Sequence, residues 1–134
     1  MSELINPPSL PSPVGFAYAV KCRGTLLFLG GAVGARGSGG VTGETGMVEQ
    51  FELALTNIHE VVTHAGGSMR DIVKLTYFVV DRDAYVANLK PIGDVYRRFF
   101  GKYYPAQSLF GVTALFDPNA LIEVEAIACL AGEG

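Results

Sequence analysis

Apolar residues recur at intervals of three and four from Met47 to Ala65, and this is the strongest periodic signal in the chain. The spacing places them on one face of an amphipathic helix of about five turns. Thr42 or Thr45 is suited to cap the start of this helix, and Gly66-Gly67 is suited to end it. A helix with one apolar face must bury that face against another layer, so the rest of the chain has to supply one.

Short apolar segments on both sides of this helix predict strands. Residues 16–22 and 25–30 are separated by Arg23-Gly24, which predicts a β-hairpin. Residues 72–80 are rich in β-branched and aromatic side chains and predict a further strand. The last two strands are predicted at 106–115 and 121–130, with a turn at Asp117-Pro118-Asn119 between them. Residues 84–100 predict a second helix, with Pro91 in its first turn.

The resulting order, ββ-α-β-α-ββ, predicts an α+β domain in which two helices pack on one face of a mixed sheet. The other face of the sheet then has to be buried, and we expect another copy of the chain to bury it. The alternative is a well-packed monomer. Only 17% of the 134 residues are charged, against about 25% in typical domains, which favours a buried subunit interface. We expect a flexible, proline-rich segment at residues 1–12 and a single domain at 13–134.

Composition and charge exclude several classes of function. The net charge is −3 and no block of Lys or Arg occurs, so we expect no nucleic-acid partner. No apolar run approaches the roughly 20 residues of a membrane span, and the N-terminus lacks the pattern of a signal peptide. We therefore expect a cytoplasmic protein without a membrane partner. Cys22 and Cys129 lie in apolar strand patterns, where cysteine behaves as a small buried hydrophobe.

Three motifs invite a chemical interpretation that their spacing does not support. The glycine-rich stretch 30–46 lacks the Gly-Lys-Ser/Thr of a phosphate loop, so it predicts a mobile loop. His59 and His64 are five residues apart, which rotates the second imidazole by about 140° around a helix, away from a shared zinc ion. No G-x-S-x-G elbow marks a serine nucleophile. We therefore expect no metal site.

The last strand holds two carboxylates in an otherwise apolar alternation. Glu123 and Glu125 share one face and lie roughly 6–7 Å apart. Desolvation and mutual repulsion raise the pKa of such a carboxyl, which can then act as an acid or base, or hold a water molecule. In the alternative, one glutamate pairs with Lys74 and only fixes the sheet. We expect Glu123 to face a cleft and Glu125 to be held by a cation or by backbone donors in the assembly.

Five segments together identify a family resemblance that runs from about Pro13 to Leu130. They are Phe16-Ala17-Tyr18-Ala19-Val20, Leu27-Phe28-Leu29-Gly30-Gly31, residues 65–74, Tyr104-Pro105-Ala106-Gln107-Ser108 and residues 122–128. In this order they resemble the RidA family, also called YjgF or L-PSP-type. The resemblance implies a chorismate-mutase-like α+β fold and a homotrimer with ligand clefts between adjacent subunits. It also implies hydrolysis of reactive enamines or imines, such as 2-aminoacrylate, to a 2-keto acid and ammonia without a cofactor.

The resemblance also implies a set of site residues, several of which depart from the family pattern. Glu123 would help to hold the attacking water, and the substrate site would be lined by Phe16, Gly30, Gly31, Gln107 and Leu109. Gln107 stands where active members have a carboxylate-binding arginine, Phe16 where they have a tyrosine and Gly30 where they have a serine. Losing a charged hydrogen bond of about 1.5–3 kcal/mol would weaken carboxylate binding roughly 10- to 150-fold. Arg36 or Lys90 is a candidate substitute cation.

Two functions therefore compete at this level. The first is a divergent RidA-like protein that binds a small carbonyl, imine or enamine metabolite between subunits and hydrolyses it with a water held by Glu123. The second is a non-catalytic ligand-binding or regulatory trimer. Ribonuclease activity, an older label of the family, is disfavoured by the net charge of −3.

Overall fold

A four-stranded mixed sheet carries the main helices on one of its faces in the computed structural model, which describes residues 2–131. The elements in chain order are β1 (Ser2–Ile5), β2 (Ala19–Cys22), β3 (Thr25–Phe28), α1 (Met47–His64), a 3₁₀ turn (Met69–Asp71), β4 (Ile72–Val79), α2 (Arg82–Ala87), α3 (Leu89–Phe100), β5 (Ala106–Gly111) and β6 (Ile122–Leu130). The sheet order is β3-β6-β4-β5, with β4 and β5 parallel and the other pairs antiparallel. This arrangement confirms the predicted α+β fold with helices on one face.

Helix α1 forms where its apolar period predicts, but its N-terminus is fixed differently. Neither threonine caps it: the N-cap residue is Gly46, and no side chain bonds to the first turn. Instead Gln50, which is fully buried, donates from Nε2 to the carbonyl oxygens of Thr45 and Asn119 and accepts from the backbone N–H of Leu121. Burying this side-chain amide is not costly, because its nitrogen and its oxygen are both hydrogen-bonded. The same bonds connect the start of α1 to the start of β6.

The predicted hairpin at residues 16–30 is wrong. Strand β2 pairs with β1, and β3 pairs with β6, so the two halves lie in different sheets. The chain passes from one sheet to the other at Gly24, which has a φ of +153°. Gly24 lies so close to the end of β6 that a Cβ would be 2.0 Å from the carbonyl oxygen of Leu130. Residues 2–5, expected to belong to a flexible segment, form β1.

Two further features differ from the sequence predictions. The second helical segment divides at Asn88 into α2 and α3, and Asp81 caps α2 by accepting from the backbone N–H of Ala84. Pro91 lies in the first turn of α3, as predicted. Strand β5 ends at Gly111 rather than at residue 115.

The glycine-rich loop is anchored at several points along its length. Asp117 accepts a hydrogen bond from the backbone N–H of Val41, and Asn119 donates to the carbonyl oxygen of the same residue. Asn57 of α1 donates to the carbonyl oxygens of Val33 and Ala35. These bonds hold residues 33–41 against α1 and against the turn that precedes β6.

The sheet face opposite the helices carries several large apolar side chains that the described part of the chain leaves exposed. Leu26, Phe28 and Phe110 on this face are exposed, Phe28 to 70%. Phe78 stacks on Phe110 with ring centroids 6.0 Å apart. We refer to this surface as the open face. Large exposed apolar patches mark interaction surfaces. Among residues 2–131, no helix is long and apolar enough to cross a membrane.

Replacing Gly24 should destabilise the fold at the sheet crossing. In Gly24→Ala the new methyl group meets the backbone of β6, and alanine is strained at a positive φ, so we expect a loss of about 2–4 kcal/mol in the free energy of unfolding. Gly39→Ala is the control, because a Cβ there meets nothing within 4 Å. Urea denaturation measures both changes, and equal stabilities for the two variants would contradict the crossing geometry.

Candidate functional site

The site residues implied by the sequence fall into two groups on opposite faces of the sheet. Gln107 pairs in register with Leu75, which is fully buried under the helices, so Gln107 points to the helix side. Glu123 pairs with Phe78, whose ring stacks on the open face. Within one chain, therefore, the glutamate and the glutamine do not share a site.

The first group is Glu123 with Gly31. Ala32 and Val124 exchange two backbone hydrogen bonds of 2.8 Å, which brings Gly31 beside Glu123 on the open side of the sheet. A Cβ on Gly31 would lie 1.9 Å from Glu123 Oε2, so a side chain there would displace the carboxylate. Glu123 is half-buried, and it has no hydrogen bond or ion pair within the described part of the chain. Its oxygens can therefore accept bonds from water or from a ligand.

The neighbouring glutamate differs from Glu123 in exposure. Glu125 is exposed opposite Thr76, and it has no partner among residues 2–131. Lys74 donates from Nζ to Ser108 Oγ at 2.9 Å, so the alternative in which Lys74 pairs with a glutamate of β6 is wrong for the single chain. The alternation itself is confirmed, since Ile122, Val124 and Ala126, which alternate with the glutamates, are buried.

Gly30 and Leu109 are the two remaining residues of the implied site. Gly30 lines, with Gly31 and Asn57, an open cavity of about 410 Å³ beside α1. Leu109 pairs with Tyr77 on the helix side and packs against the hydrophobic core, outside the lining of this cavity and of the larger one around Gln107.

The second group surrounds Gln107 in a cavity of about 770 Å³. The cavity lies between the N-terminal segment, α2 and α3, and the start of β5. Its aromatic lining includes Phe16, Tyr77, Tyr85, Tyr96 and Tyr104. None of the residues that line it is an aspartate or a glutamate. We call this space the tyrosine cavity.

The carboxamide of Gln107 is fixed by two tyrosines. Tyr77 donates from its hydroxyl to Oε1 at 2.7 Å, and Nε2 donates to the hydroxyl of Tyr96 at 3.0 Å. Tyr96 in turn donates to the carbonyl oxygen of Tyr103. Burial raises the pKa of both Tyr77 and Tyr96, so both stay protonated at neutral pH. Arginine has no acceptor for the Tyr77 hydroxyl, so these contacts suit a glutamine at this position and not an arginine.

The candidate substitute cations lie elsewhere. Arg36 forms an ion pair of 3.0 Å with Glu60 and also donates to Asn57, and Lys90 is exposed outside the cavity lining. The cations that line the tyrosine cavity are Arg97 and Lys102, which sequence reasoning missed. The sequence does place basic residues at the end of the second predicted helix, just before Tyr103-Tyr104, and this pattern could have indicated both cations.

The two lining cations differ in their own contacts. A hydrogen bond with Tyr104 and another with Asp94 raise the pKa of Arg97, and its Nη2 lies 2.6 Å from Asp94 Oδ1. Lys102 has no hydrogen bond or ion pair within residues 2–131. Lys102 is thus the cation of the cavity that remains available to a ligand.

The histidines and cysteines lie outside both groups. His59 and His64 are both exposed on α1, and residues 2–131 contain no cluster of ligating side chains that could hold a metal ion. Cys129 is buried and Cys22 is half-buried, and neither forms a disulfide. A hydrogen bond with Cys22 raises the pKa of the Cys129 thiol, which keeps this thiol protonated.

Comparisons with known proteins agree with the fold. The family model described as Endoribonuclease L-PSP matches residues 9–130. A protein of Dermatophagoides farinae named 2-iminobutanoate/2-iminopropanoate deaminase is 33% identical over 131 residues, which cover 96% of each chain. The protein of the same name from Capra hircus is 31% identical and covers 94% of this chain and 88% of its own length. A solved Rid-family protein of unknown function from Yersinia pestis superposes with a TM-score of 0.85 at 34% identity, covering 96% of this chain and 98% of its own.

Adding a methyl group at Gly31 should move the Glu123 carboxylate without unfolding the protein. The atom it meets is the far end of a flexible side chain, so in Gly31→Ala we expect a changed Glu123 rotamer and a melting temperature within about 2 °C of wild type. Gly30→Ala is the matched control, because a Cβ there meets nothing within 4 Å. Crystal structures of both variants check the rotamer. An unchanged Glu123 in Gly31→Ala would contradict the contact.

Proposed function

The chain belongs to the Endoribonuclease L-PSP family, the family of RidA and YjgF proteins, and from this premise we propose that it binds and hydrolyses a small imine or enamine. The single observation that carries the proposal is the half-buried Glu123 carboxylate beside Gly31, without a partner in the described part of the chain. The names of two relatives, which describe deaminases of 2-iminobutanoate and 2-iminopropanoate, support the reaction type.

The proposed reaction needs one water molecule and one residue that handles its proton. Glu123 accepts a proton from water while the water oxygen attacks the imine carbon, and the protonated Glu123 then passes this proton to the imine nitrogen. The resulting carbinolamine loses ammonia as the C–N bond breaks and the carbonyl forms. The sum is imine plus water to carbonyl compound plus ammonia. A positioned carboxylate acting as a base in this way contributes typically 10²- to 10⁴-fold to a rate.

The proposed site lies between subunits of a homotrimer. The open face exposes Leu26, Phe28 and Phe110, and obligate interfaces are apolar in the same way. Glu123 lies on that face, so a second copy packed there would enclose its carboxylate at the edge of the interface. Excluding bulk water in this way strengthens the electrostatic action of the glutamate on a bound imine.

The contacts of Gln107 favour a second candidate function, which is ligand binding or regulation without turnover. A neutral amide held by Tyr77 and Tyr96 cannot supply the charge with which active members bind a substrate carboxylate. We therefore expect slow hydrolysis of 2-aminoacrylate relative to imines that lack a carboxylate. No hydrolysis across a panel of both kinds would support the non-catalytic function.

The assembly should be a trimer of about three times 14.2 kDa. Light scattering on the eluted protein at micromolar concentration measures this mass. Phe28→Glu places a charge on the open face and should give monomers, since a buried unpaired charge is costly. Val61→Glu, an equally simple change at an exposed position on α1, should leave the trimer intact. A monomeric wild type would contradict the proposal of a cleft between subunits.

Glu123→Gln should lower imine hydrolysis by about 10²- to 10⁴-fold, because the amide cannot accept the proton of water. Its melting temperature should be unchanged or higher, since the carboxylate has no partner to lose in the described part of the chain. The comparison variant is Glu125→Gln, two residues along the same strand face, which should lower thermal stability or trimer integrity but keep the wild-type rate in whatever trimer remains. Release of ammonia from the imine panel measures turnover. Full activity in Glu123→Gln would overturn its catalytic role, and melting several degrees earlier would assign it a structural one.

A further inference from the structure

We propose that Cys22 and Cys129 form a reversible disulfide that fastens the two-stranded sheet of β1 and β2 to the end of β6. Both cysteines are free thiols in the structure, and they belong to different sheets. Neither one is part of the group around Glu123, and neither lines the cavity around Gln107. The proposal therefore does not depend on the proposed hydrolysis.

Cys129 is buried although strand alternation places it on the open side of the sheet. It follows Glu123 and Glu125 at intervals of two residues, yet it is only 5% exposed, whereas Glu125 is exposed. The segment that joins β2 to β3 covers it, since a Cβ on Gly24 would lie 3.3 Å from Cys129 Sγ. Cys22 lies two residues before Gly24, so the segment that buries one cysteine also carries the other.

The two thiols meet at the junction between the sheets, where they are hydrogen-bonded to each other. A disulfide requires side chains that point toward each other and backbones that lie close together. The hydrogen bond meets the first condition. The close approach of Gly24 to the backbone of Leu130 meets the second, because these residues follow Cys22 and Cys129 closely in the chain. The two sulfur atoms can therefore be joined with small side-chain movements.

The link would strengthen an attachment that strand pairing leaves incomplete. Within residues 2–131, β1 and β2 pair only with each other. Ala17, just before β2, forms an isolated bridge with Ala106 and donates from its N–H to the carbonyl oxygen of Pro105. A disulfide at Cys22 would fix the other end of β2, so that both ends of this segment would be attached to the main sheet.

The oxidant that the pair needs is a small disulfide such as oxidised glutathione. Cys22 is half-buried and Cys129 is buried, so the oxidant reaches Cys22 first. The Cys22 thiolate attacks one sulfur of the oxidant, whose S–S bond breaks as a thiolate leaves. Cys129 then loses its proton to solvent, and its sulfur attacks Cys22 Sγ and displaces the second thiol. In sum, two electrons and two protons pass from the cysteines to the oxidant, and an excess of a reducing dithiol reverses the exchange.

The test incubates the full chain with oxidised glutathione and identifies the products by intact mass and peptide mapping. We expect the wild type to lose the mass of two hydrogen atoms and to carry a link between Cys22 and Cys129 of one chain. Cys129→Ala should stop at a single glutathione adduct on Cys22. The matched variant Cys22→Ala should form neither product, because the thiol that remains is buried.

Oxidation should also stabilise the folded chain. The link would close a loop of about 100 residues, which restricts the unfolded chain. We expect the oxidised wild type to melt at least about 5 °C above the reduced protein. Cys22→Ala, treated with the same oxidant, should melt at the same temperature as its untreated sample, which controls for effects of the oxidant elsewhere.

Three results would overturn the proposal. The first is a wild type that remains unmodified or stays as the glutathione adduct of Cys22, because the two thiols then do not reach each other. The second is a link between two chains, seen as a dimer on a non-reducing gel. The third is an oxidised wild type that melts no higher than the reduced protein, because the link then does not fasten the two sheets. Imine hydrolysis is not among these readouts, so a failure of the proposed reaction would leave this test unchanged.

Discussion

The period-two alternation of β6, fixed by its pairing with β4, is the constraint on which the rest of the structure depends. Ile122, Val124 and Ala126 are buried under the helices, so Glu123 and Glu125 must point to the other face. The same register continues across β4 to β5, where it directs Gln107 toward the helices. A shift of one residue would bury two carboxylates and expose the core, which the cost of burying charge forbids.

This register separates two kinds of chemistry in one small domain. On the open face, Gly31 leaves room for a carboxylate that has no partner in the described part of the chain. On the helix side, tyrosines and two cations surround a fixed carboxamide. A carboxylate and a cavity lined by cations cannot form a single monomeric active site when they lie on opposite faces of the sheet. We therefore propose that the carboxylate acts at an interface between copies of the chain.

The sequence predicted the features that depend on local periodicity. Helix α1, the strand nature of β6 and the shared face of Glu123 and Glu125 follow from spacing along the chain. The incorrect prediction of a hairpin shows the limit of local periodicity, because strand pairing depends on partners that are distant in the chain. Strand β2 pairs with β1, and β3 pairs with β6. The same holds for the candidate site. Nothing in the order of residues shows that Arg36 pairs with Glu60, or that Gln107 lies between Tyr77 and Tyr96.

A crystal structure of the assembled protein tests the central claim, the division of the implied site residues between two faces of the sheet, most directly. The account predicts that Gln107 keeps its hydrogen bonds to Tyr77 and Tyr96 on the helix side and makes no contact with Glu123 of the same chain. It also predicts that Glu123 lies at the interface with a second copy of the chain. A single ligand in contact with both Glu123 and Gln107 of the same chain would contradict the account.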